Sequence, residues 1–172
     1  MGRSESIISL VQLAPEQFPA SSQLHGYAED LANILNEDEE LGFALGRTKH
    51  APQETAQTVL AHARKWCVKH DAIFFAVVHD QRAAIGTISL SHMDLQSRTA
   101  SIGYWIGTRF QGHGYGGAAF RNLVAFARTL GVRLLSGQIG AANHASRQIW
   151  ERNGAEIVRD GTTLKATLLI EP

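Results

Sequence analysis

Apolar positions along the chain change period several times, and each change marks an element. Ser6 to Leu13 alternates, which predicts a first strand ended by Ala14-Pro15. Leu24, Ala28, Leu31, Ile34 and Leu35 fall near helical spacing and predict a helix from about Ser21 to Asn36. The run Glu37-Asp38-Glu39-Glu40 reads as a solvated turn, because four acids at a helix C-terminus oppose its dipole. A second helix is predicted from Pro52, at its first position, to His70, with Asp71 beyond its end. Its buried stripe is Ala56, Val59, Leu60, Ala63 and Cys67.

The period then shortens. Ile73 to His79 and Ala84 to Met93 read as antiparallel strands joined through Asp80-Gln81-Arg82, and Thr99 to Gly107 pairs next after a turn at Asp94 to Arg98. A helix from Gly116 to Leu130 stops at Gly131, Leu134 to Ile139 is a fifth strand, and Asn143 N-caps a last helix. Ala155 to Arg159 and Thr163 to Ile170 close as a hairpin through Asp160-Gly161. The result is a mixed α/β (α+β) chain: a mostly antiparallel sheet of about seven strands, flanked by about four helices, with one strand–helix–strand crossover.

The crossover carries the most informative stretch, Gln111-Gly112-His113-Gly114-Tyr115-Gly116-Gly117. A strand that turns through glycines into a helix presents backbone N–H groups at the positive end of the helix dipole, a seat for phosphate. Glycine lets a ligand approach closely and tolerates φ > 0. Gly112-x-Gly114-x-x-Gly117 also satisfies the dinucleotide fingerprint, but the following strand, Val132 to Ile139, lacks the carboxylate that holds a ribose, and no Gly-Lys-Ser/Thr follows. A nicotinamide or flavin enzyme is therefore the least favoured reading.

Parsed as Gln111-x-x-Gly114-x-Gly116, the turn resembles the acyl-CoA pyrophosphate motif of the GNAT superfamily of N-acetyltransferases. About thirty residues on, the stretch from Asn143 through Ser146, Trp150 and Glu151 to Gly154-Ala155 resembles that superfamily's closing helix. Ile102-Gly103-Tyr104-Trp105-Ile106-Gly107 is similar to the strand entering the motif in the RimJ/RimL-type branch, the ribosomal-protein-alanine N-acetyltransferase-like one. The close likeness covers Thr99 to Ala155. It implies a GNAT-like fold over residues 1–172 as one domain, and acetyl-CoA as co-substrate.

Composition narrows the setting. At 172 residues, 44% hydrophobic and 19% charged, the chain suits one folded domain. Apolar runs such as Ala72 to Val78 are too short to span a bilayer, and no signal peptide is read. Met1-Gly2-Arg3-Ser4-Glu5-Ser6 fits a myristoylation pattern, which is short and is set aside. The lone Cys67 excludes an intrachain disulfide framework and fits a reducing cytoplasm. It reads as core, with a covalent acetyl-cysteine role disfavoured. The eight histidines show no ligand cluster beyond His62 and His70, so no metal is expected. Net charge is zero, yet residues 1–97 carry 7 Lys/Arg against 12 Asp/Glu and residues 98–172 carry 9 against 4. The basic half holds the phosphate-like turn. An acidic partner half would favour a cationic acceptor such as an amine, and the absence of a basic aromatic stripe disfavours nucleic acid.

The resemblance implies roles residue by residue. The N–H groups of Gly112, His113, Gly114, Tyr115, Gly116 and Gly117 would hold the diphosphate, with Gln111 orienting the turn. Tyr104, Trp105 and Ile106 would pair through their backbone with the pantetheine arm. The Ile106 N–H would donate to the thioester carbonyl, a contribution typically worth about 3 kcal/mol. Asn143 matches the position that reaches the pantetheine, compatibly with capping its helix. Arg147 and Arg152 could meet coenzyme A phosphates or lie idle on the surface. Many family members place a tyrosine acid in the last helix. Here that position is Trp150, so Ser146, one turn earlier, is the candidate proton donor, against a purely local role. Ser101 stands where the branch often has Glu, which leaves the general base open among Glu39, Glu40, His92, Asp94 and water.

The expected activity is direct acetyl transfer from acetyl-CoA to a primary amine in a ternary complex. The acceptor is a protein N-terminus or a small amine, including an antibiotic. Asn36 to Thr48 is the expected specificity segment, with Glu37 to Glu40 either attracting an ammonium or simply solvated. A homodimer is the candidate assembly and the cytoplasm the expected compartment, without membrane or nucleic-acid partners. The rival is a non-catalytic acyl-CoA-binding or regulatory module, motivated by Trp150 and Ser101.

Overall fold

The computed structural model describes residues 6–14 and 21–171. The start of the myristoylation-like pattern, Met1 to Glu5, and Pro15, expected to end the first strand, lie outside the described residues.

The chain order is β1 (Ile8–Gln12), α1 (Ser22–Glu37), α2 (Glu39–Ala44), α3 (Ala56–His70), β2 (Ile73–His79), β3 (Ala83–Asp94), β4 (Thr99–Ile106), a 3-10 turn (Thr108–Phe110), α4 (Tyr115–Thr129), β5 (Leu134–Gly140), α5 (His144–Arg152), β6 (Glu156–Asp160) and β7 (Thr163–Leu169). All seven strands join one sheet in the order β1-β2-β3-β4-β5-β7-β6. Every pairing is antiparallel except β4 with β5. Period-two and solid apolar runs match the strands to within a residue or two; the solid runs of β2 and β3 follow from helices covering both faces of the sheet.

Two expectations about helices need correction. The acidic run is a junction between helices, so five α-helices flank the sheet among the described residues, one more than expected. The Asp38 side chain accepts from the Leu41 N–H at 3.0 Å and starts α2. Glu39 and Glu40 then occupy the first turn of a new helix, where negative charge is favourable. Nor does Pro52 open α3. Thr55 and Thr58 cap each other's backbone reciprocally, so the helix starts at Ala56. Residues before it are pinned instead: Asn36 exchanges two hydrogen bonds with the Glu54 backbone, at 2.7 and 2.9 Å, and Arg47 meets the Glu54 carboxylate at 2.7 Å.

One face of the sheet buries Phe120, Leu123 and Ala127 of α4 and Trp150 of α5 against Ile85, Ile88, Leu135 and Ile139. The other buries Leu24, Ala28 and Leu31 of α1 and Val59, Leu60 and Ala63 of α3 against Ala76 and Val78. Burying such side chains contributes roughly 1.5–3 kcal/mol each. The functional consequence lies at the parallel seam. β4 and β5 pair only over Thr99–Ser101 with Leu134–Ser136, although both run on, to Ile106 and Gly140. Past those residues the two strands part, and the edge of β4 that faces β5 is left open.

Candidate active site

A cleft of about 510 Å³ lies along that open end of β4. Its lining comes from β4 (Tyr104, Trp105, Ile106), the turn beyond it (Gln111, Gly112, Gly114), α4 (Tyr115, Gly116, Gly117, Arg121), α5 with its cap (Asn143, Ser146, Ile149, Arg152) and α2 with its end (Leu41, Ala44, Leu45). Of the expected cofactor residues, only His113 is missing from this lining. It sits at the exposed rim, stacked on Tyr115 with ring centroids 5.4 Å apart.

The turn has the geometry its glycines suggested. Gly112 and Gly114 adopt φ of +78° and +82°, the left-handed region, and a Cβ on either would meet nothing within 4 Å. Gly114 N-caps α4 without any side-chain hydrogen bond, and the first intrahelical bond runs from Ala118 N–H to Gly114 C=O at 3.0 Å. The N–H groups from Gly112 to Gly117 consequently have no acceptor among the described residues. Such orphan donors at a helix start attract anions. Gln111 holds the turn from behind, its side-chain amide donating to the Ile106 C=O at 2.9 Å.

That bond also reports how β4 is turned. Gly107 N–H donates to Ile85 C=O, and Ile106 lies opposite Gly86 in the β3–β4 register. Antiparallel strands alternate the direction of their polar groups. Trp105 therefore aims its N–H at β3, and Tyr104 and Ile106 aim theirs into the gap. An N–H pointing there is suited to a carbonyl or an extended amide chain.

Charge in the cleft is one-sided. Arg121 and Arg152 line it, while no carboxylate and no imidazole does among the described residues. The turn and these two cations fit a polyanionic phosphate ligand. Arg147 is absent from the lining and pairs with Glu151 at 2.7 Å. The candidate bases are not brought to the cleft. Glu39 and Glu40 are exposed on α2. Asp94 caps its own turn through the N–H groups of Gln96 and Ser97 near the closed end of the seam, and His92 is exposed beside it. Cys67 lies on α3, half-buried, with its thiol pushed up by burial. No three His, Cys, Asp or Glu residues are grouped to hold a metal ion among the described residues.

Two features were not foreseen. The first is Tyr104. Its ring lies on the α4–α5 face, edge-on to Phe120, and its hydroxyl meets the Ser146 hydroxyl at 2.8 Å. Burial pushes the phenol above its ordinary value, and the Ser146 hydroxyl and the Trp150 indole pull it only part of the way back. Trp150 itself is buried to 1% exposure and packs over Gly137 of β5, where a Cβ would come within 2.5 Å of its ring. The second is Asp38, which accepts from both the N–H and the hydroxyl of Thr108. Asn143 performs its expected capping, its side chain accepting from the Ser146 N–H at 3.0 Å.

Comparison with known proteins bears on family and fold. The family model described as acetyltransferase (GNAT) domain matches residues 23–156. "Putative ribosomal N-acetyltransferase YdaF" of Bacillus subtilis (strain 168) is 31% identical over 99 residues, which are 57% of this chain and 54% of that protein. The chain thus spans about half the length of this curated relative. Among solved structures, the microcin C7 self-immunity acetyltransferase MccE, in complex with acetyl-CoA and AMP, aligns with a TM-score of 0.71 at 20% identity, over 95% of this chain and 92% of that one. RimL, a ribosomal L7/L12 alpha-N-protein acetyltransferase in complex with coenzyme A, aligns with a TM-score of 0.70 at 17% identity, over 95% and 94%. These two likenesses speak for the fold alone.

Proposed function

This chain belongs to the GNAT acetyltransferase family, and on that footing we propose that it transfers acetyl from acetyl-CoA directly to a primary amine in a ternary complex, with residues 1–172 as one catalytic domain. The observation that carries this reading is the row of N–H groups from Gly112 to Gly117 that lack an acceptor among the described residues, beside the cleft along the open end of β4.

Acetyl-CoA, when bound, supplies an activated acyl group and a diphosphate handle. The Gly112–Gly117 turn holds the diphosphate through main-chain donors, and Gln111 keeps that turn in register with β4. Arg121 and Arg152 add positive charge. Tyr104 and Ile106 present backbone groups to the pantetheine, with Trp105 between them, and the Ile106 N–H steadies the carbonyl oxygen as it gains charge. Asn143 orders the start of α5 and reaches the same arm. Ser146 gives a proton to the departing sulfur. With no base in the cleft lining, the acceptor nitrogen arrives neutral or loses its proton to water.

For the acceptor, the names of the Bacillus relative and of RimL favour a protein N-terminus, a ribosomal protein being the first candidate, ahead of a small amine. The RimJ/RimL-like phrase Ile102 to Gly107 supports the same branch. No helix among the described residues is long and apolar enough to cross a membrane. On this reading the protein is a cytoplasmic enzyme without membrane or nucleic-acid partners, with a homodimer as its candidate assembly. A cleft without a base also favours a second reading, a non-catalytic acyl-CoA-binding module.

One experiment separates them: calorimetric titration with coenzyme A beside thiol release from acetyl-CoA with a panel of N-terminal peptides, polyamines and aminoglycosides. Binding with turnover supports the transferase. Binding without turnover on any amine supports the module, and no binding overturns both.

A further inference from the structure

We propose that Tyr104 is a positioning residue that acts through Ser146, sending a proton along a two-hydroxyl chain toward the departing sulfur. The proposal rests on the transferase reading above and deepens it. Its ground is geometric. The two hydroxyls stand 2.8 Å apart, contributed by β4 and α5 from positions 42 residues apart in sequence, and both residues line the cleft.

A serine alone is a poor acid, since its alkoxide is far less stable than a thiolate. A hydroxyl carries one proton, so a serine that gives it away needs a replacement at the same oxygen. Tyr104 is placed to provide it. Either hydroxyl can donate across this contact; when the phenol donates to Ser146, the serine's own proton is free to point into the cleft. The Asn143 side chain fixes the Ser146 backbone by accepting its N–H at 3.0 Å, so the hydroxyl is held at the helix start.

The step balances. The C–S bond breaks and its electron pair goes to sulfur. Ser146 passes its hydroxyl proton to the sulfur while Tyr104 passes its phenolic proton to the Ser146 oxygen. The phenolate takes a proton from water, equivalent to the one released by the acceptor nitrogen. An ordinary phenol is protonated at neutral pH, so water refills it between turnovers.

The test uses steady-state thiol release by the whole chain, in wild type, Tyr104→Phe, Ser146→Ala, Ser146→Thr and the double variant Tyr104→Phe/Ser146→Ala. Thermal melting and coenzyme A calorimetry establish that each is folded and binds. Tyr104→Phe keeps the ring against Phe120 and removes only the hydroxyl. It is expected to lower kcat about tenfold with KM for acetyl-CoA changed by less than about twofold. Ser146→Ala should lower kcat about a hundredfold, Ser146→Thr should restore most of it, and the double variant should be no slower than Ser146→Ala. A proton inventory in mixed light and heavy water should curve in wild type, for two protons in flight, and straighten in Tyr104→Phe. Unchanged kcat in Tyr104→Phe, multiplying losses in the double variant, or a straight wild-type inventory would each overturn the relay. Wild type that binds coenzyme A yet acetylates no amine overturns the transferase reading instead, and the relay with it.

Discussion

The Asp38 carboxylate accepts hydrogen bonds from both the backbone N–H and the hydroxyl of Thr108, at 2.7 and 2.8 Å, across 70 residues of sequence. Asp38 thereby closes α1 through its backbone N–H, which donates to the Ile34 C=O, starts α2 through its side chain, and fastens both to the backbone just past Ile106. The wall of the cleft formed by Leu41, Ala44 and Leu45 is tied to the strand proposed to hold the thioester.

Replacing Asp38 with Ala should cost about 1–2 kcal/mol, from a lost cap and lost charge-assisted bonds. Hydrogen exchange should rise across Glu39–Ala44 while the sheet stays protected. The KM for the amine should increase more than that for acetyl-CoA. Uniform exchange across the sheet would mean that the carboxylate supports the fold generally rather than this wall.

The same carboxylate makes an acid-side forecast. Burial works to raise the Asp38 carboxyl, but hydrogen bonds from Leu41 and Thr108 and the nearby Arg109 charge outweigh it and hold the group below 3.8. At Glu54, burial likewise acts upward, and the bonds from Thr58 and Arg47 overcome it and hold the group below 4.5. A depressed folded value means stability that is complete above the unfolded value and lost as pH falls through the folded one. Denaturant titrations should therefore show stability falling as pH drops below about 4.5, with a shallower fall in Asp38→Asn.

Gly114→Glu should abolish coenzyme A affinity. The left-handed φ of +82° disfavours any side chain by roughly 1–2 kcal/mol, and a carboxylate at that point competes for the donors meant for phosphate. Calorimetry that finds affinity unchanged would sink the diphosphate seat.

Gly137 and Trp150 should behave as one unit. Trp150→Ala removes a side chain with 1% exposure and should cost about 3–5 kcal/mol in urea unfolding. Gly137→Ala drives a methyl into the indole and should cost about 1–3 kcal/mol. Combined with Trp150→Phe, the Gly137→Ala penalty should shrink. Strict additivity would show that the clash relaxes elsewhere.

Much of this was legible in the sequence because the informative signals were local. Strand alternation, the Asn143 cap and the Gly112–Gly117 turn each lie within a few consecutive residues, where period and φ preference decide the outcome. The acidic run misled because composition describes four carboxylates alike. Only the reach of one of them, Asp38, to Thr108 makes it a cap, and that reach is set by the sheet. Pro52 misled because proline tolerates a first helical position without requiring it, and the Thr55–Thr58 pair offered the stronger start. The Tyr104–Ser146 contact was illegible for a related reason. Each residue was singled out by its motif, Tyr104 for its backbone and Ser146 for its hydroxyl, and nothing in either motif says that a strand side chain and a helix side chain meet. Arg121, one turn past Gly117 on α4, was within reach of the pattern, since a cation at that spacing faces the same side of the helix as the turn.

The sheet's two halves share only three rungs of backbone pairing, from Thr99 to Ser101. Whatever lodges in the opening beyond them becomes a splint, bridging β4 to α5 where no ladder does. Occupancy should then be felt far from the chemistry, as a higher melting temperature and slower exchange along β5 and β7, growing with the logarithm of ligand concentration. An empty molecule and a filled one would differ less in shape than in stiffness.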